Sequence, residues 1–242
     1  MIPKTIHYCW FGNKPLDSKS KKCIASWKKY NLGYQIIEWN EKNFDIKSNQ
    51  YVYEAYQSKK YAFVTDYVRL YVLYLYGGIY MDTDVEVLKP LDCFLKLPAF
   101  SGFERYNKIP TGIIGSEKNN KWIELLLRDY DTRTFMLDDG KLDMTTNVEL
   151  ITNKSIANYP LILNNTEQHL KDFSIFPFDW FCAKDLSDGK IKVTENTFTI
   201  HHFAGSWESR NNKFRGKVYR FINRYFGKSA AELVRKKLGK KD

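Results

Sequence analysis

The stretch YAFVTDYVRLYVLYLYGGIYMDTDVEVL, residues 61–88, decides how the rest of the chain is read. From Tyr61 to Tyr76 nearly every position is apolar or aromatic, which predicts a helix buried on all sides. Its two formal charges, Asp66 and Arg69, stand three residues apart and therefore share one helix face. A buried charge is costly unless it is paired or bound, so this acid and base must meet each other or a ligand. Gly77 and Gly78 supply the left-handed stop.

After that stop, Ile79-Tyr80-Met81 reads as a short interior strand, followed by Asp82-Thr83-Asp84 and the renewed alternation Val85, Val87. Two carboxylates at i and i+2 of an extended chain point the same way. Side by side they repel, and one takes up a proton unless a cation keeps both ionised. Hard oxygen ligands suit Mg²⁺ or Mn²⁺, which keep open positions for nucleotide phosphates. Acidic triplets are also common in solvated loops, and the tripeptide alone does not separate the two readings.

The context does. Ala62, Thr65-Asp66, Arg69, Leu73-Tyr74, Gly77-Gly78-Ile79-Tyr80 and Asp82-Thr83-Asp84 together resemble the sugar-binding D-x-D region of glycosyltransferase family 32. Its members include yeast mannosyltransferases, bacterial capsule and lipopolysaccharide sugar transferases and, more distantly, the clostridial glucosylating toxins. The resemblance implies an α/β fold of GT-A type, a Rossmann-like nucleotide-diphospho-sugar transferase fold, and a sugar transfer that retains anomeric configuration.

Length and composition are compatible with this. The chain has 242 residues, 43% of them apolar or aromatic, enough for one substantial core. No run of about 18 uncharged apolar residues occurs, so no transmembrane helix is expected. The opening MIPKTIHYCWF lacks the apolar core of a signal peptide. Cys9, Cys23, Cys93 and Cys182 are scattered without a C-x-x-C pair, which reads as reduced, structural and cytoplasmic.

The net charge of +10 is carried by residues 210–242, where 12 lysines and arginines face two acids, while the rest of the chain is balanced. A nucleic-acid binder with a uniformly basic surface would look different. We therefore expect a catalytic domain over residues 1–207 and a basic helical tail over 208–242. In the tail, Phe214, Val218, Phe221, Ile222, Tyr225 and Phe226 recur at helical spacing between basic residues. This pattern fits a peripheral contact with the anionic inner face of a cell membrane, or equally a helix packed on the domain.

Two further stretches extend the resemblance. Ile2 to Phe11 reads as a first strand ending in the loop Gly12-Asn13-Lys14-Pro15, where open α/β sheets bind nucleotides. By resemblance to the I-H-x-x-W-x-G opening of relatives, Trp10 stacks on the nucleobase of a UDP-sugar, with the Ile6 and His7 backbone nearby. Near the other end, Thr197 to Trp207, TFTIHHFAGSW, reads as a strand whose parity puts Thr197, Thr199 and His201 on one side and Phe198, Ile200 and His202 on the other. Both histidines are open to a purely structural reading, and a neutral imidazole is also a good Mn²⁺ ligand beside carboxylates. The resemblance assigns His201 to the metal, with His202 as the substitute, and Ser206 and Trp207 to the leaving diphosphate.

Between these ends, helices are expected over Asp17 to Tyr30 with Asp17 or Ser18 as N-cap, over Tyr51 to Lys60 and over Trp122 to Tyr130; strands over Tyr34 to Trp39, Ala99 to Phe103 and Thr111 to Gly115. The aromatic run Ile175 to Cys182 reads as core, with Asp179 as a candidate for a sugar-binding wall. Asn147 and Glu149 are the candidates for the retaining step.

In this scheme Asp84 ligates Mn²⁺ or Mg²⁺ directly and Asp82 contacts it through water or the donor. Asp66 and Arg69 hold donor-sugar hydroxyls, Arg69 also facing phosphate, for which its planar fork is suited. The acceptor is a hydroxyl of a surface polysaccharide or lipid-linked oligosaccharide. A non-catalytic glycan- or membrane-surface binding module on the same fold is the competing reading.

Overall fold

The computed structural model describes residues 1–104, 108–185 and 188–205 and, beyond these, Gly216, Val218, Tyr219, 221–225 and Leu233. Chain order gives β1 (Thr5–Cys9), α1 (Ser18–Tyr30), β2 (Gln35–Trp39), α2 (Gln50–Gln57), α3 (Tyr61–Tyr76), β3 (Gly78–Met81), β4 (Val85–Val87), β5 (Ala99–Gly102) and β6 (Ile113–Ser116). There follow α4 (Lys121–Leu127), α5 (Asn147–Asn158), β7 (Gln168–His169), β8 (Ser174–Phe176), α6 (Phe178–Phe181) and β9 (Thr199–His201). Asp17 is the N-cap of α1, its side chain accepting from Ser20 N–H. The helix expected to run to Tyr130 tightens after Leu127 into a 3₁₀ turn over Arg128–Asp131.

Among the described residues the main sheet has seven strands in the order β2-β1-β3-β6-β5-β8-β7, and β4 pairs with β9 in a separate antiparallel ladder. Strands β2, β1 and β3 are mutually parallel, and β6 runs antiparallel to β3. This is an α/β sheet, parallel in its first part and mixed beyond it.

Alternation along the strands divides the interior between two apolar clusters. Ile6 and Tyr8 of β1, Ile79 and Met81 of β3 and Ile113 of β6 join Ile24 and Trp27 of α1, whereas Cys9, Tyr80 and Ile114 join the apolar residues of α2, α3 and α4. Helix α3 lies in the second cluster with Phe63, Val64, Val68, Leu70, Val72 and Leu73 buried. In the run Ile175 to Cys182 the two ends are core, with Phe176 and Phe181 packing around Phe94 and Phe100, while residues 177–180 are half-buried.

Three features aim β3 and β4. Gly77 has φ 66° and a Cβ there would lie 2.8 Å from Lys118 N, while at Gly78, φ 103°, it would lie 2.7 Å from the Thr5 carbonyl. Only glycine fits this turn without strain. The buried His7 ring holds the turn from below, its Nε2 2.8 Å from the Gly77 carbonyl and its Nδ1 accepting from Trp39 Nε1 at 3.1 Å. Helix α1 holds β4, with Trp27 Nε1 donating to the Val85 carbonyl at 2.7 Å and Val87 N–H donating to Ser26 Oγ at 2.9 Å.

The boundary expected at residue 208, together with Ser206 and Trp207, lies outside the described residues, as does most of the tail. The described part of the tail is helical at 221–225, where Phe221 and Tyr225 are exposed and Arg224 Nε donates to the Asp188 carbonyl at 3.1 Å. No helix among the described residues is long and apolar enough to cross a membrane.

Candidate active site

Arg69 projects from α3 and is 4% exposed. Its Nη2 donates to Asp66 Oδ1 at 3.0 Å and to Thr65 Oγ1 at 3.5 Å, its Nη1 to the Thr111 carbonyl at 2.6 Å and to Asp82 Oδ1 at 3.3 Å, and its Nε to the Thr65 carbonyl at 3.2 Å. The guanidinium also lies over the Tyr80 ring, 4.7 Å from its centroid. All five N–H groups thus meet protein acceptors. The acid and base of the central helix do meet, as burial requires, and Arg69 also ties that helix to the first acid of the D-x-D triplet. A sugar or phosphate oxygen would reach Arg69 only by displacing one of these acceptors.

Burial pushes the Asp66 carboxyl up to about 6, against the pull of Arg69. Burial disfavours the charge on Arg69 as well, but Asp82, Tyr80 and Asp66 outweigh it and the guanidinium keeps its proton. Asn147, the first residue of α5 and also buried, donates from Nδ2 to the Asp66 carbonyl at 3.1 Å.

The D-x-D triplet is not extended. Val85 N–H returns to the Asp82 carbonyl at 3.0 Å, and Asp82-Thr83-Asp84 forms a turn between β3 and β4. The carboxylates converge through this turn rather than through the i, i+2 alternation expected of a strand. Ligand oxygens of Asp82 and Asp84 and a ring nitrogen of His201 all lie within 4.8 Å of one another. His201 Nε2 is 3.2 Å from Asp84 Oδ1 and 4.0 Å from Asp82 Oδ2.

In each carboxylate the other oxygen is held by the protein. Asp82 Oδ1 accepts from Tyr80 Oη at 3.0 Å and from Arg69, and Asp84 Oδ2 accepts from Ala204 N–H at 2.6 Å. This leaves one oxygen of each acid facing the imidazole nitrogen, a donor set of two carboxylate oxygens and one nitrogen that fits Mn²⁺. Without a cation, burial opposes a proton on His201, but the Asp84 charge and hydrogen bond prevail and raise its pKa well above the usual histidine range. The same contact holds the Asp84 carboxyl well below the usual carboxylate range in spite of its burial. His201 Nδ1 is buried without a nitrogen or oxygen partner, and the weakly polar Cys182 thiol is the neighbour that acts on the ring.

Strand parity left the choice between the histidines open, and the ladder register decides which one meets the acids: Val85 pairs with His201. His202 is on the other face, with Nε2 2.7 Å from Glu86 Oε2, and does not join the cluster. Trp10 lies just past β1, half-buried, its Nε1 donating to the Lys14 carbonyl. Asp179 accepts from Thr194 Oγ1 at 2.8 Å. Sequence reasoning missed the side chain of His7 as the brace of the double-glycine turn, which no local pattern signals. The glycines that bound Thr111 to Gly115 do mark a strand whose backbone can come close to a ligand, but not that the Thr111 and Gly112 carbonyls accept from Arg69 and Asp82.

Residues 17–103 match the family described as the glycosyltransferase sugar-binding region containing the DXD motif. Among curated proteins, the chain is 31% identical over 145 residues to an uncharacterised glycosyltransferase of Acanthamoeba polyphaga mimivirus, a match covering 55% of this chain and 57% of that protein. It is 27% identical over 141 residues to inositol phosphoceramide mannosyltransferase 3 of Schizosaccharomyces pombe, covering 55% of this chain and 38% of that one. Neither match spans two thirds of the relative's length. Among solved structures, a PaToxG glycosyltransferase superposes with a TM-score of 0.48 at 20% identity, over 66% of this chain and 70% of that one. The matched residues include the stretch 61–88, so the chain is similar to this DXD-containing sugar-binding region over the same residues that carry the resemblance in its sequence.

Proposed function

We propose that the chain is a retaining, metal-dependent glycosyltransferase that moves a hexose, whether galactose, glucose or an N-acetylhexosamine, from a UDP-sugar to a hydroxyl of a surface polysaccharide or lipid-linked oligosaccharide. The observation that carries the reading is the convergence of Asp82 and Asp84, within the matched sugar-binding region, with His201 from beyond it, beside the buried Asp66–Arg69 pair. Asp84 and His201 would hold Mn²⁺, or Mg²⁺, directly, with Asp82 as the third donor. Bound there, the cation would offset the charge that builds on the departing diphosphate.

The chain's own part is preorganisation. Tyr80, Arg69 and Ala204 fix the carboxylates before any ligand arrives, so little reorganisation is left for the reaction itself. Asp66 is assigned to the donor sugar and Trp10 to the base, and Arg69 would reach the sugar only by giving up one of its protein acceptors. Ser206 and Trp207 keep the diphosphate role implied by the resemblance. The S. pombe relative is named a mannosyltransferase acting on inositol phosphoceramide. That name brings GDP-mannose and lipid-borne acceptors into the set to be tried.

The basic tail and the exposed Phe221 and Tyr225 support a peripheral contact with an anionic membrane on the cytoplasmic side. Truncation after Trp207 should abolish binding to vesicles containing anionic lipid, and unchanged binding would remove this part of the proposal.

The test of the activity is a panel of UDP-galactose, UDP-glucose, UDP-N-acetylglucosamine and GDP-mannose, each with and without Mn²⁺. One donor should raise the melting temperature only with the metal present and be slowly hydrolysed without acceptor. A chain that binds glycans yet hydrolyses no donor under any of these conditions is a binding module.

A further inference from the structure

The backbone at Thr111-Gly112 touches three residues of the candidate site, Arg69, Asp82 and His201. The Thr111 carbonyl accepts from Arg69 Nη1 at 2.6 Å, and the Gly112 carbonyl accepts from Asp82 N–H at 2.9 Å. The α-carbon of Gly112 lies flat against the His201 imidazole: a Cβ built there would be 2.6 Å from Nδ1 and 2.9 Å from Cε1. On the ring, Phe203 packs with a centroid separation of 4.0 Å.

We propose that Gly112 is a positioning residue for the His201 ligand, seating the imidazole so that Nε2 faces Asp84 and Asp82. The role follows from the space that a side chain at 112 would take from the ring. Gly112 is not at a positive φ, so alanine is allowed by the backbone and its methyl group acts on the ring alone. Displacing the ring moves Nε2, which is only 3.2 Å from Asp84 Oδ1, out of the common focus of the three donors. Groups that orient a metal-ligating histidine typically change metal affinity by about 10–100-fold when altered.

This inference rests on the reading of Asp82, Asp84 and His201 as a metal site. Mn²⁺ affinity, measured calorimetrically and by the paramagnetic resonance of free Mn²⁺, should be determined for wild type, Gly112→Ala, His201→Ala and the double variant, along with their metal-free melting curves. Gly112→Ala should weaken Mn²⁺ binding about 10–100-fold, and the same change should have no further effect once His201 is alanine. Should Gly112→Ala fold poorly, His201→Ala should restore it by removing the clash. Wild-type affinity in Gly112→Ala, an equal loss in the His201→Ala background, or an unfolded Gly112→Ala that the second change does not rescue would each overturn the proposal. A wild-type chain that binds no Mn²⁺ would instead overturn the metal reading itself.

Discussion

His201 Nε2 lies 3.2 Å from Asp84 Oδ1, an approach fixed by the pairing of Val85 with His201 in the β4–β9 ladder. Strand β9 thus delivers a nitrogen to a turn whose acids are already anchored from behind.

The proximity couples metal binding to protons. With the Asp84 charge holding a proton on His201 well above the usual histidine range, despite burial, the metal-free ring is cationic at neutral pH. A metal takes only the neutral imidazole. Mn²⁺ binding near pH 7 should therefore release about one proton, and affinity should fall about tenfold per unit as pH drops. Calorimetry in buffers of different ionisation enthalpy measures this directly. Binding heats independent of buffer would rule it out.

Removing the Arg69 guanidinium should be costly for a different reason. Arg69→Ala would strand Asp66 and Asp82 without their shared cation, at about 3–5 kcal/mol for a broken buried pair. Arg69→Lys should rescue little, since one ammonium cannot reach the acceptors that the fork spans. Urea midpoints of the two variants within experimental error of the wild type would refute this role.

These two cases show what the residues alone disclose. An unbroken apolar run followed by two glycines is a local pattern, and the helix Tyr61–Tyr76, its stop and the strand after it follow from steric and burial rules. The same rules required Asp66 and Arg69 to find partners, yet could not name Asp82 or the Thr111 carbonyl, which α3 meets only after the sheet forms. The acids were expected to align by strand alternation; the backbone turns at Thr83 instead, because Val85 N–H returns to the Asp82 carbonyl. Parity separated His201 from His202 without saying which faces the acids, since that depends on a partner strand distant in sequence. Gly112 and His7 act through contacts with no sequence period.

The buried His7 and Asp66 should give opposite pH slopes in metal-free protein. Burial pushes His7 down from 6.5 to about 4 against the Gly77 hydrogen bond. The unfolded chain then binds the extra proton between these values, and stability falls as pH drops from 6.5 towards 4. Asp66, raised by burial from 3.8 to about 6, binds its extra proton in the folded state, and its contribution is lost as pH rises through that window. The two nearly offset each other over the shared range. His7→Gln should therefore lose stability as pH rises across it, and Asp66→Asn should gain, each by up to about 1.4 kcal/mol per unit. Denaturant titrations at half-unit steps of pH, with both variants parallel to the wild type, would refute the assignment.

The proposed chemistry needs a cation that Asp82, Asp84 and His201 would hold against the diphosphate of a sugar donor. The most direct test is steady-state turnover of the best donor from the panel by wild type and Asp84→Asn, with Mn²⁺ and with excess chelator, alongside circular dichroism of both. The expected result is Mn²⁺-dependent turnover in the wild type that falls by at least about 10²-fold in Asp84→Asn while the spectrum is unchanged. Full activity of either protein in chelator, or wild-type turnover by Asp84→Asn, would contradict it.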